Sequence, residues 1–269
     1  MTTGALIFAF NNEHTDYVEL AAWNAANIRR HLDIPVAVVT DQPDHARIST
    51  GFEHVITAVP AAGGSRYFSD YGQTVTWYNA GRADAYDLSP WDHTLLLDAD
   101  YVVASPDLAL VLDSAADVRC FRSAFDTVTG KDLESHATFG RYRAPMYWAT
   151  VMTFSRSAGA QFVFDSMKMI RQNWTHYRHL YGIADATYRN DYALSIALGI
   201  VSGHTGRFDA IPWSMASVMP EHTVERLEQD HYQVSWTNQL NRRQHISMRG
   251  MDMHVMGKSH LENIIGSAS

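Results

Sequence analysis

Cysteine, basic charge and long apolar runs are all scarce in this chain, and each shortage closes off a class of protein. Cys120 is the single cysteine among 269 residues, so no intrachain disulfide can form and a reducing, cytoplasmic setting fits best. The opening MTTGALIFAFNNEHTD has no basic stretch ahead of its brief apolar run, which is not the pattern of a secretory leader. No apolar run approaches the roughly 20 residues that span a bilayer. Lys and Arg number 21 against 29 Asp and Glu, a net charge of −8 that opposes indiscriminate binding to nucleic acid. Internal repeats, low-complexity tracts and an evident linker are also missing.

What remains is an ordinary soluble composition, 46% hydrophobic, sufficient for a normal core. The length suits one α/β domain over residues 1–269. Charge divides it unevenly. Residues 1–140 hold 8 basic and 19 acidic residues, whereas 141–269 hold 13 basic and 10 acidic, with 8 of the 14 histidines. The imbalance reads either as a division of labour or as variation on a solvated surface.

Apolar runs at Gly4–Phe10 (GALIFAF), Pro35–Thr40 (PVAVVT) and Val55–Val59 (VITAV) read as buried strands. Asp16 caps a helix to about His31, with Val18, Ala21, Ala22, Ala25 and Ile28 on its apolar side. Strands without polar alternation, joined by a helix, predict a mostly parallel sheet covered on both faces. Ala61–Gln73 reads as a mobile loop and Thr76–Tyr86 as a helix. His93–Val103, Val118–Ser123 and Tyr147–Phe154 read as strands, Ala158 to about Tyr177 as a long helix, and Asn190–Leu198 as a shorter one. From Gly203 onward the chain reads as less regular.

The strongest chemical signal is Leu95-Leu96-Leu97-Asp98-Ala99-Asp100. A buried strand carries two carboxylates at i and i+2 to its C-terminal end, where open α/β sheets bind ligands. Close carboxylates repel, and a cation between them keeps both ionised. Oxygen ligands suit Mg²⁺ or Mn²⁺, and such an ion can bridge a diphosphate. The plainer alternative is that both residues end a strand and shape a turn.

An apolar strand running into Asp-x-Asp, as in LLLDADYVV, resembles the GT-A glycosyltransferases, glycosyltransferase family 8 above all. That family has a helix before the motif with a basic residue facing the nucleotide, which Arg82 in WYNAGRADAYDL resembles. It also has a C-terminal His-x-x-Gly-x-x-Lys whose His is a third metal ligand. Here His254-Val-Met-Gly257 matches, with Lys258 directly after the glycine and His260 where the family has lysine. An Asp opening a helix near the donor sugar is matched by Asp191 in NDYAL. The resemblance implies a GT-A, Rossmann-like fold, a mixed and mostly parallel sheet flanked by helices. It further implies a UDP-sugar donor and Mn²⁺ or Mg²⁺ at Asp98, Asp100 and His254. Gly257 and Lys258 would lie at the diphosphate, and anomeric configuration would be retained. On this reading residues 1–120 form the sugar-nucleotide half, and 121–269 the acceptor half with the C-terminal metal and diphosphate segment. The opening FAFNNEHTDYVELAAWNAANIRRH is similar to glycosyltransferases encoded by bacteriophages, some associated with hydroxymethylated pyrimidines. That likeness implies a 5-hydroxymethylpyrimidine base of phage DNA as acceptor, in the host cytoplasm.

Other residues carry two readings each. Asp41 accepts from a base or ribose, or caps Gln42-Pro43-Asp44; Asn11 and Asn12 contact the base, or make the turn. Asp191 orients the sugar, acts as base or nucleophile, or only complements a helix dipole. Arg171 to His179 and Asn241 to His245 interleave basic and polar residues, the first with Trp174 and Tyr177, and either meet an anionic acceptor or form solvated faces. Competing functions are a saccharide- or protein-directed glycosyltransferase, a sugar nucleotidyltransferase and a noncatalytic nucleotide-binding module. A nucleotidyltransferase of related fold would carry a glycine-rich, arginine-bearing loop after the first strand, where this chain has AFNNEHTD.

Overall fold

The computed structural model describes residues 1–61, 64–68, 72–112, 116–133, 137–205 and 208–266, without the side chains of 66–68, 259, 262 and 263. Its centre is a six-stranded sheet. The strands are β1 (Thr3–Phe8), β2 (Val36–Thr40), β3 (His54–Thr57), β4 (His93–Asp98), β5 (Val118–Phe121) and β6 (Trp148–Ser155), in the spatial order β3-β2-β1-β4-β6-β5. β3, β2, β1 and β4 run parallel, and β6 runs antiparallel to both β4 and β5. The expected mixed, mostly parallel α/β architecture is therefore present.

Period-two alternation divides two cores across this sheet. Ala5, Ile7, Leu95 and Leu97 face one core, and Leu6, Phe8 and Leu96 the other. Strands buried on both sides must be apolar at every position, which is why GALIFAF and LLL show no polar alternation. Backbone contact is close at Gly4, where a Cβ would stand 2.3 Å from Cε2 of Trp91. The Trp91 indole is buried over that strand and donates from Nε1 to the Ala5 carbonyl at 3.2 Å.

The first helix, Tyr17–Leu32, begins where the Asp16 side chain accepts from the Glu19 N–H. Arg29, Arg30 and His31 occupy its last turn, favourable to the helix dipole, and Asp33 closes it at φ 53°. Its buried Asn24 donates to the Tyr101 carbonyl at 2.6 Å and accepts from the Val103 N–H at 3.2 Å. The chain just beyond the acid pair thus hangs from this helix.

Four expectations need correction. Within 61–73, Gly64–Phe68 pairs antiparallel with Gln73–Trp77; residues 62–63 and 69–71 lie outside the described set. Thr74-Val75-Thr76-Trp77 is β-branched and aromatic, so strand extends where helix was expected, and only Ala80–Asp84 and Ala85–Leu88 are helical. The long helix is two, Ala158–Gln172 and Trp174–Tyr181. It breaks at Asn173 (φ −116°, ψ 32°), whose side chain donates back to the Met169 carbonyl. The last third is not irregular. Thr223–Glu228, His231–Thr237 and Arg243–Arg249 form an antiparallel sheet, and Met215–Val218 and Met253–Val255 join Tyr101–Val102 and Ala124–Asp126 in a second small sheet. No helix among the described residues is long and apolar enough to cross a membrane.

Candidate functional site

A cleft of about 290 Å³ opens beyond the C-terminal ends of β1 and β4. The register Phe8↔Asp98 sets Asp98 at that edge, and the turn after it carries Asp100. His254 arrives from 154 residues away because Met253–Val255 pairs antiparallel with Tyr101–Val102, with His254 opposite Tyr101. The Val255 N–H also donates to the Asp100 carbonyl at 3.0 Å. One ligand atom from each of Asp98, Asp100 and His254 lies within 4.8 Å of the others.

Each carboxylate has its own cation. Arg82, 1% exposed, donates from Nη1 to Asp98 Oδ1 at 2.5 Å and from Nη2 to the Ala149 carbonyl at 2.5 Å. Burial pulls its guanidinium below the usual value, against the opposing pull of Asp98 and Asp191. Asn79 Nδ2 adds a 3.0 Å bond to Asp98 Oδ1. Asp100 is paired through Oδ2 with Lys258 Nζ, while its Oδ1 is buried with no hydrogen-bond partner and lies 3.6 Å from His254 Nε2. Burial pushes the His254 imidazole below its ordinary range, against Asp98 and Asp191. A neutral imidazole is the form that binds a metal. Two carboxylates, one of them with an orphaned oxygen, and an imidazole come together here, a donor set that fits a divalent metal.

Across the cleft, Asp191 sits in the first turn of the helix Asn190–Val201. Its Oδ1 accepts from the Ala149 N–H at 2.9 Å and its Oδ2 from Arg189 Nη2 at 2.8 Å. Burial lowers the Arg189 guanidinium, but Asp191 outweighs it and raises the group above its usual value. Neighbouring Asn190 donates to the Asn79 carbonyl at 2.8 Å, and the side-chain oxygens of both asparagines are buried without partners. Phe8, Phe10, Tyr17, Trp77, Tyr78 and Trp148 supply aromatic wall.

Of the residues singled out in the sequence, Arg82, Asp98, Asp100, Asp191, His254 and Lys258 all line this cleft. Asn11, Asp41 and Gly257 are not among its lining residues. Asn11 donates to Asp16 Oδ1 and accepts from the Val18 N–H, tying the strand end to the helix start, while adjacent Asn12 lines the cleft. Asp41 is exposed at the end of β2. Gly257 packs under the turn, where a Cβ would meet His260 Cδ2 at 2.9 Å and the Pro220 carbonyl at 3.1 Å. Sequence reasoning missed Asn79, Arg189, Asn190 and most of the aromatic wall. Proximity of Asn79 to Arg82 and of Asn190 to Asp191 was the one usable signal. Neither basic stretch lines the cleft. Arg171 makes a two-point ion pair with Asp84 at 2.7 and 3.0 Å, and Trp174 stacks on Tyr192. Arg242 and Arg243 are exposed at the edge of the antiparallel sheet.

No family model matches this sequence, and a search of curated proteins finds no match. Glycosyltransferases are among its structural neighbours. The glycosyltransferase GlyE of Streptococcus pneumoniae TIGR4 aligns at 13% identity and TM-score 0.43, over 79% of this chain and 46% of that one. The galactosyltransferase LgtC, in complex with donor and acceptor sugar analogs, aligns at 13% and 0.44, over 72% and 70%. Mouse xyloside xylosyltransferase 1 aligns at 13% and 0.48, over 78% and 85%. This chain therefore spans less than half the length of GlyE. Likeness at this level carries no chemistry. The fold class rests on the strand order and directions above, and the chemistry on the cleft.

Proposed function

We propose that this chain is a metal-dependent glycosyltransferase that moves a sugar from a UDP-sugar to a hydroxyl acceptor. The observation that carries the reading is the convergence of Asp98, Asp100 and His254 ligand atoms within 4.8 Å, in a cleft at the strand ends. Those three residues hold Mn²⁺ or Mg²⁺, which supplies charge neutralisation for a departing diphosphate. Arg82 holds Asp98 in place through its Nη1 bond to Oδ1. Lys258, already at Asp100, offers the diphosphate a second positive charge. The aromatic wall gives the base and sugar faces to lie against. Asn79 and Asn190 line the cleft where the sugar would sit. Both oxygens of Asp191 are engaged by donors, which favours orienting the sugar over attacking it.

For the acceptor we carry forward a 5-hydroxymethylpyrimidine base in phage DNA. Its support is the basic balance of residues 141–269, the exposed Arg242 and Arg243, and the phage-like opening. A saccharide or protein hydroxyl is the alternative. Two experiments test the whole reading. Thermal shift with nucleoside diphosphates and UDP-sugars should show stabilisation that requires Mn²⁺ and disappears with EDTA. Incubation with UDP-sugars, Mn²⁺ and either hydroxymethylated DNA or saccharides, followed by nucleoside mass analysis, should yield a glycosylated nucleoside. Transfer to saccharide alone removes the DNA acceptor, and no metal-dependent nucleotide binding removes the enzyme reading.

A further inference from the structure

His254 turns Nε2 toward the acid pair, 3.6 Å from Asp100 Oδ1. An imidazole that offers Nε2 to a cation carries its hydrogen on Nδ1, and a metal-binding histidine keeps its orientation when that N–H has an acceptor. Here Nδ1 is buried and bonds to nothing. The small sheet sets a row of polar residues beside it. Ser217 is the Cα partner of His254 on one neighbouring strand and of Asp126 on the other, both in parallel pairing. Paired residues in a sheet leave the same face, so the three side chains stand in line. They are 8%, 0% and 7% exposed, in a sheet whose other positions are largely apolar.

Ser217 Oγ, like His254 Nδ1, has no partner. A buried hydroxyl without a bond is costly, and alanine or valine would fill that position better unless the oxygen has a use. Asp126 is locked in place by the Val128 N–H at 3.0 Å, the Thr129 N–H at 3.2 Å and Thr129 Oγ1 at 2.7 Å. A carboxylate with four lone-pair sites keeps room for a further donor, and His222 Nδ1 stands 3.7 Å from its Oδ1 without bonding to it.

We propose that Ser217 is the positioning residue for the metal-binding imidazole. With a cation at Nε2, the Ser217 hydroxyl accepts from His254 Nδ1–H and donates toward Asp126, which fixes the tautomer that leaves Nε2 bare. The arrangement is a carboxylate–histidine pair with a serine inserted, laid across three strands instead of along one. It rests on the metal-site reading of Asp98, Asp100 and His254.

The test measures Mn²⁺ and Mg²⁺ affinity, with UDP present, for the wild-type chain, Ser217→Ala and His254→Ala. Free Mn²⁺ is counted by electron paramagnetic resonance, and Mg²⁺ by competition. Ser217→Ala should weaken Mn²⁺ about 10- to 100-fold and Mg²⁺ by less, since Mg²⁺ depends less on a nitrogen ligand. The melting temperature of the metal-free protein should hold or rise. Mn²⁺ affinity in Ser217→Ala within twofold of wild type, while His254→Ala is weakened, overturns the inference and spares the metal site. Equal weakening of both ions with a lower melting temperature makes Ser217 merely structural and also overturns it. Unchanged Mn²⁺ binding in His254→Ala sinks the metal reading itself.

Discussion

The acid side of the cleft and its histidine side are built by opposite strategies. Asp98 ends one continuous apolar strand and Asp100 sits in the turn just after it, and every position of Leu95 to Leu97 is fully buried. His254 comes from a strand of three residues held between Tyr101–Val102 and Met215–Val218, and Lys258 opens the turn that follows it. The first strategy makes a site that survives on local hydrophobicity. The second makes its geometry depend on register, so a slip of one residue would turn His254 to the opposite face.

The largest break in that comparison is Asp100→Asn. It removes a ligand charge without changing shape, and transfer should fall on the order of 100-fold or more, with the melting temperature little changed. Activity within a few-fold of wild type would dismiss the acid side as the catalytic one. Arg82→Met tests what the acid side costs to maintain. It leaves Asp98 beside an unpaired Ala149 carbonyl, and urea unfolding should show a loss of about 3 kcal/mol. Added Mn²⁺ should return part of that loss by supplying the missing positive charge. His254→Ala sharpens the contrast. Turnover at limiting Mn²⁺ should drop about 10- to 100-fold and recover as Mn²⁺ is raised, whereas Asp100→Asn should not recover.

The smallest effect lies outside the cleft, where the first helix meets the antiparallel sheet. Asp230, in the turn between Thr223–Glu228 and His231–Thr237, accepts from Arg30 at 2.6 Å and lies 3.1 Å from His31, both on the first helix. Burial would raise its carboxyl, but His31 and Arg30 prevail and hold it below the usual range. The folded value being lower than the unfolded one, this stabilisation is present above about pH 4 and is lost as pH falls through the lower folded value. Asp230→Asn tolerates the same φ of 57°, removes only the charge, and should cost about 0.5–1 kcal/mol near neutrality. It should also flatten the acid limb of the stability curve. An unchanged acid limb would show the tie to be idle.

Legibility in the sequence followed the same divide. The strands at Gly4–Phe10, Pro35–Thr40 and His93–Val103 could be read because burial on both faces leaves a run with no polar interruption. The acid pair could be read because it ends such a run. The small sheet could not, since strands of three or four residues carry too few positions to display a period. His254 was visible only through its spacing to Gly257 and a family resemblance. Asn79, Arg189 and Asn190 were invisible for another reason. Their significance lies in which atoms remain unpaired after folding, and polar loop residues look alike before it. The strand Gln73–Trp77 went unseen because it straddles a glycine-bearing stretch read as loop up to Gln73 and a helix read from Thr76.

Gly4 and Trp91 are locked to one another, since a single added carbon on residue 4 would collide with the indole. Position 4 can gain a side chain only if position 91 gives way. In any remote homologue of this fold, a side chain at the first position should travel with a smaller residue at the second. This paired change offers a fingerprint for recognising descent where percentage identity has decayed to noise.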